Sequence, residues 1–139
     1  LVGRRGTLGK RYAHNRVGKG MAQAAHAANA FIYDVDEKMR KAETTIWSEQ
    51  ATFVREWQRT TRQGFGTTIT LDVGSDKTLN EHIEEAQELS LFSGVVHDPT
   101  YPVRDGNVTH LIPVDTCGYI FVDDPERLPY ATRQLSLHS

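Results

Sequence analysis

The stretch from Arg16 to Tyr33, RVGKGMAQAAHAANAFIY, constrains the fold more than any other part of the chain. Gly18 and Gly20 bracket Lys19 in a flexible turn, and the alanines that follow are the strongest helix formers. The expectation is a loop-to-helix junction, with a helix from about Gly20 to Tyr33 whose inner face is Met21, Ala24, Ala25, Ala28 and Ile32. Lys19 and Gln23 are four residues apart and share one side of that helix. The first N–H groups of a helix lack internal partners, so a lysine at this junction suits a phosphate or a developing oxyanion. The plainer alternative is a solvated lysine at a helix start, with alanines that allow close packing. A P-loop is excluded, because its first glycine would fall on Ala13 and Gly20 stands where Ser or Thr would hold magnesium. Small residues place this helix against a sheet and His26 near the core, where a packed histidine is the simpler reading.

A chain of 139 residues builds one domain, 1–139, with a core that needs no disulfide or metal staples. Cys117 is the single cysteine, which excludes an internal disulfide and a cysteine-rich zinc site and fits a reducing compartment. No apolar run approaches the roughly 18 residues of a membrane span, and no signal-peptide pattern opens the sequence. A soluble, cytoplasmic protein without membrane contact is expected. The chain opens on Leu1 within a strand-like pattern, so natural residues are expected to precede it.

Net charge is −2, yet the first 33 residues carry +6 and the remainder −8. Arg4, Arg5, Lys10, Arg11, Arg16 and Lys19 all precede the first acidic residue, Asp34. A basic segment that converges on the Gly-Lys-Gly turn can follow a phosphate backbone, although a solvated basic loop has the same composition.

Along the chain, Leu1 to Arg5 reads as an inner strand and Gly6 to Val17 as a long polar loop. From Asp36 to Gln63 apolar residues recur at helical spacing, with Asp36 as N-cap, Gly64 as stop, and either one long helix or a break near Thr44 and Thr45. Trp47 and Trp57 on it are core or dimer contacts rather than a base-stacking platform. Thr67 to Val73 alternates as a strand, and Asp76 caps a helix that buries Leu79, Ile83, Ala86 and Leu89. Its carboxylates Glu81, Glu84, Glu85 and Glu88 form a solvated face. Ser93 to His97 is a short strand that releases Asp98 into a proline-rich segment. Val108 to Val114, interrupted by Pro113, and Gly118 to Val122 are further strands. Asp123 to Leu128 starts a short helix with proline in its first turn, and Ser136 to Ser139 fray. Alternating strands and helices predict an α/β fold with helices on both faces of the sheet.

Gly18-Lys19-Gly20-Met21-Ala22-Gln23-Ala24-Ala25-His26-Ala27-Ala28 resembles the signature of type-two peptidyl-tRNA hydrolases, in which a glycine-lysine turn opens an alanine-rich helix bearing Gln and then Ser-His-Ala. Leu1 to Arg5 resembles that family's first strand and the basic residues after it. Thr109-His110-Leu111-Ile112-Pro113 resembles its Thr-Gln-Ile-Ala-Pro. The resemblance implies a four-stranded mixed sheet with helices on both faces, a homodimer, and cleavage of the ester joining a peptide to the tRNA 3′ end without metal or cofactor. It assigns catalysis to Lys19, Gln23, Thr109 and an aspartate. Asp98 matches by strand position, and Asp105 matches by its four-residue interval to Thr109; rigid strand ends favour Asp98. Thr116 falls where the family has a second threonine, with Cys117 as its alternative. Gly18, Gly20, His26 and the basic residues Arg4, Arg5, Lys10, Arg11 and Arg16 would bind substrate. The chain departs from the family in an insertion between strand and threonine and in lacking a Gly-Arg pair.

An ester needs an activated water and a stabilised oxyanion, which a carboxylate, an ammonium and a hydroxyl together supply. Two other readings compete. One is a non-catalytic domain of the same fold that binds tRNA or a protein. The other is a metallohydrolase using His97, Asp98 and His110, which lacks the helical histidine spacing of zinc hydrolases.

Overall fold

Phe31 organises the larger of two apolar clusters, one on each face of a sheet. The computed structural model describes residues 2–4, 16–41 and 45–137. In chain order these form β1 (Val2–Arg4), α1 (Arg16–Arg40), α2 (Thr45–Arg59), β2 (Leu71–Val73), α3 (Asp76–Glu88), β3 (Ser93–Asp105), β4 (Val108–Ile120), a 3-10 turn (Pro125–Arg127) and α4 (Tyr130–Arg133). The fold is α/β. Backbone pairing orders the strands β2-β1-β4-β3. Its extended part is the antiparallel β3–β4 hairpin, while β1 and β2 pair in parallel over three residues each and β1 meets β4 at Val2↔Gly118 and Gly3↔Cys117.

On one face α1 and α2 bury Ala27, Phe31, Val35 and Val54 against Phe92, Cys117, Tyr119 and Phe121. Trp47, Phe53 and Trp57 pack onto this cluster as core residues. On the other face α3 lays Leu79 and Ile83 against Val73, Val95 and Ile120. Ser75, not Asp76, caps α3: its hydroxyl accepts the Thr78 N–H at 3.1 Å, satisfying one of the orphan donors of the first turn. The buried Gln50 amide stitches α2 to the turn after α3, accepting the Phe92 N–H at 3.1 Å and donating to the Ser90 carbonyl.

Several elements differ from the sequence expectation for identifiable reasons. Helix α1 starts at Arg16, so Gly18-Lys19-Gly20 lies inside its first turns, and it runs past Tyr33 to Arg40, which puts Asp36 mid-helix instead of at a cap. Its buried face is Ala27, Phe31 and Val35, whereas Met21 is 69% exposed and Ile32 and His26 face outward. Alanines surround much of this helix, so their periodicity selects no face; the Phe31 ring, buried while Tyr33 stays exposed, does. Helix α2 is separate and ends at Arg59, before Gly64. The strand expected from Thr67 shrinks to Leu71–Val73. The two short strands around the proline-rich segment are each 13 residues long. They are joined at Gly106-Asn107, where Gly106 adopts φ +58, the left-handed backbone of a two-residue hairpin turn. Pro99 and Thr100 stand opposite Pro113 at a register shift, which absorbs prolines that a regular central ladder would not. Ser136 also stays ordered, accepting the Asp72 N–H at 2.9 Å.

The face assignment is testable. Phe31→Ala, judged by urea unfolding, is expected to cost about 3–5 kcal/mol, whereas Met21→Ala should stay within roughly 0.5 kcal/mol of wild type.

Candidate active site

The side of the hairpin that α1 covers carries the candidate site. Val96 packs into the α1 cluster, and strand alternation turns Asp98, two residues on, to the same side. Moving toward the N-terminus of α1 moves outward along the hairpin. The Cys117 thiol donates to the Gln23 carbonyl at 3.2 Å, and the Lys19 ammonium donates to the Pro102 carbonyl at 3.2 Å. Cys117 pairs with Val96, and Pro102 with Leu111; Asp98, paired with Val114, therefore lies between the two contact points. Lys19 also stands 4.8 Å from the centre of the Tyr101 ring, a cation–π contact that helps hold it over the strand.

The Asp98 carboxylate is half-buried and directed. Its Oδ1 accepts the Thr100 N–H at 2.9 Å and the Thr100 hydroxyl at 3.5 Å. Asp98 sits within the long β3, not at a strand end, and it is this short turn that fixes its direction. Asp105 is different: it lies at the hairpin tip, 84% exposed, with His110 Nε2 3.8 Å from its carboxylate.

The two threonines separate. Thr116 is buried, at 3% exposure, in the register shift between Val96 and His97, and its hydroxyl donates to the Val96 carbonyl at 3.4 Å. Thr109 pairs with Arg104 near the hairpin tip, six residues beyond Asp98's level, or about 20 Å along the strand. Alternation from Tyr101 and its partner Ile112 turns Arg104 and Thr109 to the opposite face from Lys19. Lys19, the Gln23 backbone and Asp98 lie on the α1 side of the hairpin, whereas Thr109 lies near its tip on the opposite face.

His26 is exposed on α1, so its expected core position is corrected. Gly18 and Gly20 belong to the first turns of α1, as does the Arg16 backbone, and Arg4 closes β1. Arg5, Lys10 and Arg11 lie outside the described residues. His97 faces α3: its Nδ1 meets Asp115 Oδ1 at 2.9 Å, while the Asn80 amide donates to Asp115 Oδ2 at 3.1 Å. His97 and Asp98 consequently point to opposite faces and His110 sits at the tip, so these three residues do not form a ligand set. No group of three such side chains gathers among the described residues.

Residues 11–117 match the family model described as Peptidyl-tRNA hydrolase PTH2. The chain belongs to this peptidyl-tRNA hydrolase family. The match spans Lys19, Gln23, Asp98, Asp105, Thr109 and Thr116. No curated protein and no solved structure matches the chain. No helix among the described residues is long and apolar enough to cross a membrane. Within this member of the peptidyl-tRNA hydrolase family, Tyr101 and Pro102 are the contacts that sequence reasoning missed. Their signal was a tyrosine confined between two prolines.

The floor of the site is chemically quiet. Burial raises the Cys117 thiol above its ordinary value of 9.0, outweighing the Thr116 hydrogen bond that lowers it. Burial, followed by the Asp34 carboxylate, raises the Tyr119 phenol well above 10.0. Both groups hold their protons longer when folded, so at alkaline pH the unfolded chain binds fewer protons and stability falls as pH rises. Urea unfolding is therefore expected to show declining stability from about pH 9 upward, with a shallower decline in Tyr119→Phe; Cys117 should resist alkylation until the chain unfolds.

Proposed function

We propose that this protein hydrolyses the ester bond between a peptide, or an N-blocked amino acid, and the 3′ end of tRNA. The family match over residues 11–117 carries the reading. The placement of Lys19, Gln23 and Asp98 along one face of the hairpin supports it. In this reading the four strands, β2-β1-β4-β3, are the mixed sheet of a type-two peptidyl-tRNA hydrolase, and the protein acts in translation, in the cytoplasm, as a homodimer.

Asp98 accepts a proton from water through the oxygen not engaged by Thr100, and the water oxygen attacks the ester carbonyl. Lys19 leaves the Pro102 carbonyl to stabilise the negative oxygen of the tetrahedral intermediate. Collapse expels the ribose oxygen, which takes up the proton held by Asp98, and the peptide leaves as a carboxylic acid that gives its remaining proton to solvent. Gln23 orients the substrate by hydrogen bonding, while Thr116 maintains the strand distortion next to Asp98. Thr109 performs no step from its position near the tip. Arg4, Arg5, Lys10, Arg11 and Arg16, together with Gly18, Gly20 and His26 at the start of α1, belong to the tRNA-facing side in this proposal.

The displacement of Thr109 favours one other reading, a non-catalytic member that binds tRNA and leaves the ester intact. Single-turnover cleavage of peptidyl-tRNA separates them. The hydrolase reading expects cleavage by wild type and its loss in Lys19→Ala. Asp98→Asn should lower turnover by about 10²–10⁴-fold with tRNA binding kept, while Asp105→Asn and Thr109→Val should change it little. Wild-type protein that binds peptidyl-tRNA without cleaving it would establish the second reading.

A further inference from the structure

Three arginines at the end of α2 share a surface cavity that the proposed chemistry does not use. Arg55, Gln58, Arg59, Arg62 and Gly64 line a space of about 470 Å³. The chain is firmly held there. Thr60 donates its N–H to the Trp57 carbonyl at 3.2 Å and Arg62 to that of Arg59 at 3.0 Å, and the Thr61 hydroxyl closes onto the Phe65 carbonyl. Trp57 Nε1 donates to the Thr67 carbonyl at 2.8 Å. The returning chain lies so close that a Cβ on Gly66 would clash with the Trp57 ring and carbonyl. Arg62 itself occupies the left-handed region, at φ 59, a conformation that arginine adopts at a cost and that this turn imposes.

Charge is concentrated at the cavity. Lys38, Arg40, Lys41, Lys77 and Arg127 each have a carboxylate within 4.0 Å, whereas Arg55, Arg59 and Arg62, like Lys19, Arg104 and Arg133, have no ion-pair partner among the described residues, and the three arginines line a single space. Arg55 and Arg59 are four apart on one helix side, a like-charge spacing that opposes folding. The negative end of the helix dipole favours cations here, but it does not account for three uncompensated guanidiniums around one cavity. Planar guanidinium forks match the oxygens of a phosphate.

The cavity and the candidate site lie toward the same end of the helical layer. Phe31 lies 5.9 Å from Trp57 between ring centres, and the Lys38 ammonium 4.2 Å from the centre of Trp47, so α1 and α2 run antiparallel. The arginine end of α2 and the Lys19 end of α1 therefore lie toward the same end of one helical layer. Twelve residues of helix put Lys19 roughly 18 Å from the level of Phe31. We infer that the Arg55–Arg59–Arg62 cavity binds a backbone phosphate of the RNA body of the substrate, away from the ester. This rests on the hydrolase reading for the identity of the RNA. Such a contact positions tRNA without reading its bases.

Fluorescence anisotropy with uncharged tRNA over a salt series tests the site independently of catalysis. Arg55→Gln, Arg59→Gln, Arg62→Gln and the triple variant are compared with Lys77→Gln, a charge control on α3. The triple variant should bind tRNA at least about tenfold more weakly, with a salt dependence shallower by about one in log–log slope. It should also raise KM for peptidyl-tRNA with kcat kept, and hydrolyse an N-blocked aminoacyl-adenosine ester like wild type. A triple variant of wild-type thermal midpoint that binds tRNA normally, or loses no more than Lys77→Gln, overturns the inference. Wild-type protein that cleaves neither ester overturns the hydrolase reading alone, because the anisotropy comparison still decides the cavity.

Discussion

Phe31 is the contact on which the helical layer depends. Its ring stacks on Phe121 at 5.5 Å and meets Tyr119, Trp57 and Phe92 at 5.7, 5.9 and 6.5 Å. Those partners come from α2, from the start of β3 and from the end of β4. One side chain thereby ties both helices to the sheet, and aromatic pairs in these tilted and edge-on geometries contribute about 0.5–1.5 kcal/mol each beyond the area they bury. It also sets the rotation of α1. With Phe31 inward, Ala27 and Val35 follow at helical spacing, and His26 and Met21 are driven to the surface.

That rotation positions the candidate chemistry. Alanine at position 27 lets the helix backbone come close enough for Cys117 to reach the Gln23 carbonyl. From that anchor the helix passes over the hairpin at an angle that leaves Lys19 above Tyr101 and Pro102. Polar groups lie where the cover thins: Asp98 is half-buried, whereas Cys117 and Tyr119, under the helix, hold their protons. The gradient from dry core to open strand follows the length of α1. It places a carboxylate where water reaches it while its direction is still fixed by the Thr100 turn.

The β3–β4 hairpin is the other determinant. Its register shifts absorb Pro99, Thr116 and Pro113 without breaking the pairing, so the strands continue well past the core. The tip residues Val108, Leu111 and Ile112 are consequently exposed, and Asp105, His110 and Thr109 are carried away from the helix. The same sheet also keeps two polar groups apart. His97 and Asp115 face Asn80 of α3 while Asp98 faces α1, so neighbours in sequence belong to different surroundings.

Much was legible from residue order because it depends on local chemistry. The alanine-rich helix, the stripe of Leu79, Ile83 and Ala86, the strand character of Ser93 to His97 and the family resemblance all follow from spacing over a few residues. So did the preference for Asp98 over Asp105 as the more firmly held carboxylate, although a turn to Thr100 holds it and not the strand end that was expected. The expected glycine-lysine turn, by contrast, is part of α1, and Leu89, the last member of the expected stripe, is exposed. Which face of α1 is buried was not legible, because alanines fit either side and only the aromatic partners from distant strands choose. Nor was the fate of Thr109: its motif is local, but its direction depends on a count of residues across two register shifts in a paired hairpin. The arginines of α2 looked like ordinary surface residues in a polar helix. They meet around one cavity because Trp57 folds the following turn back and forces Arg62 beside them, a contact between segments that residue order alone does not bring together.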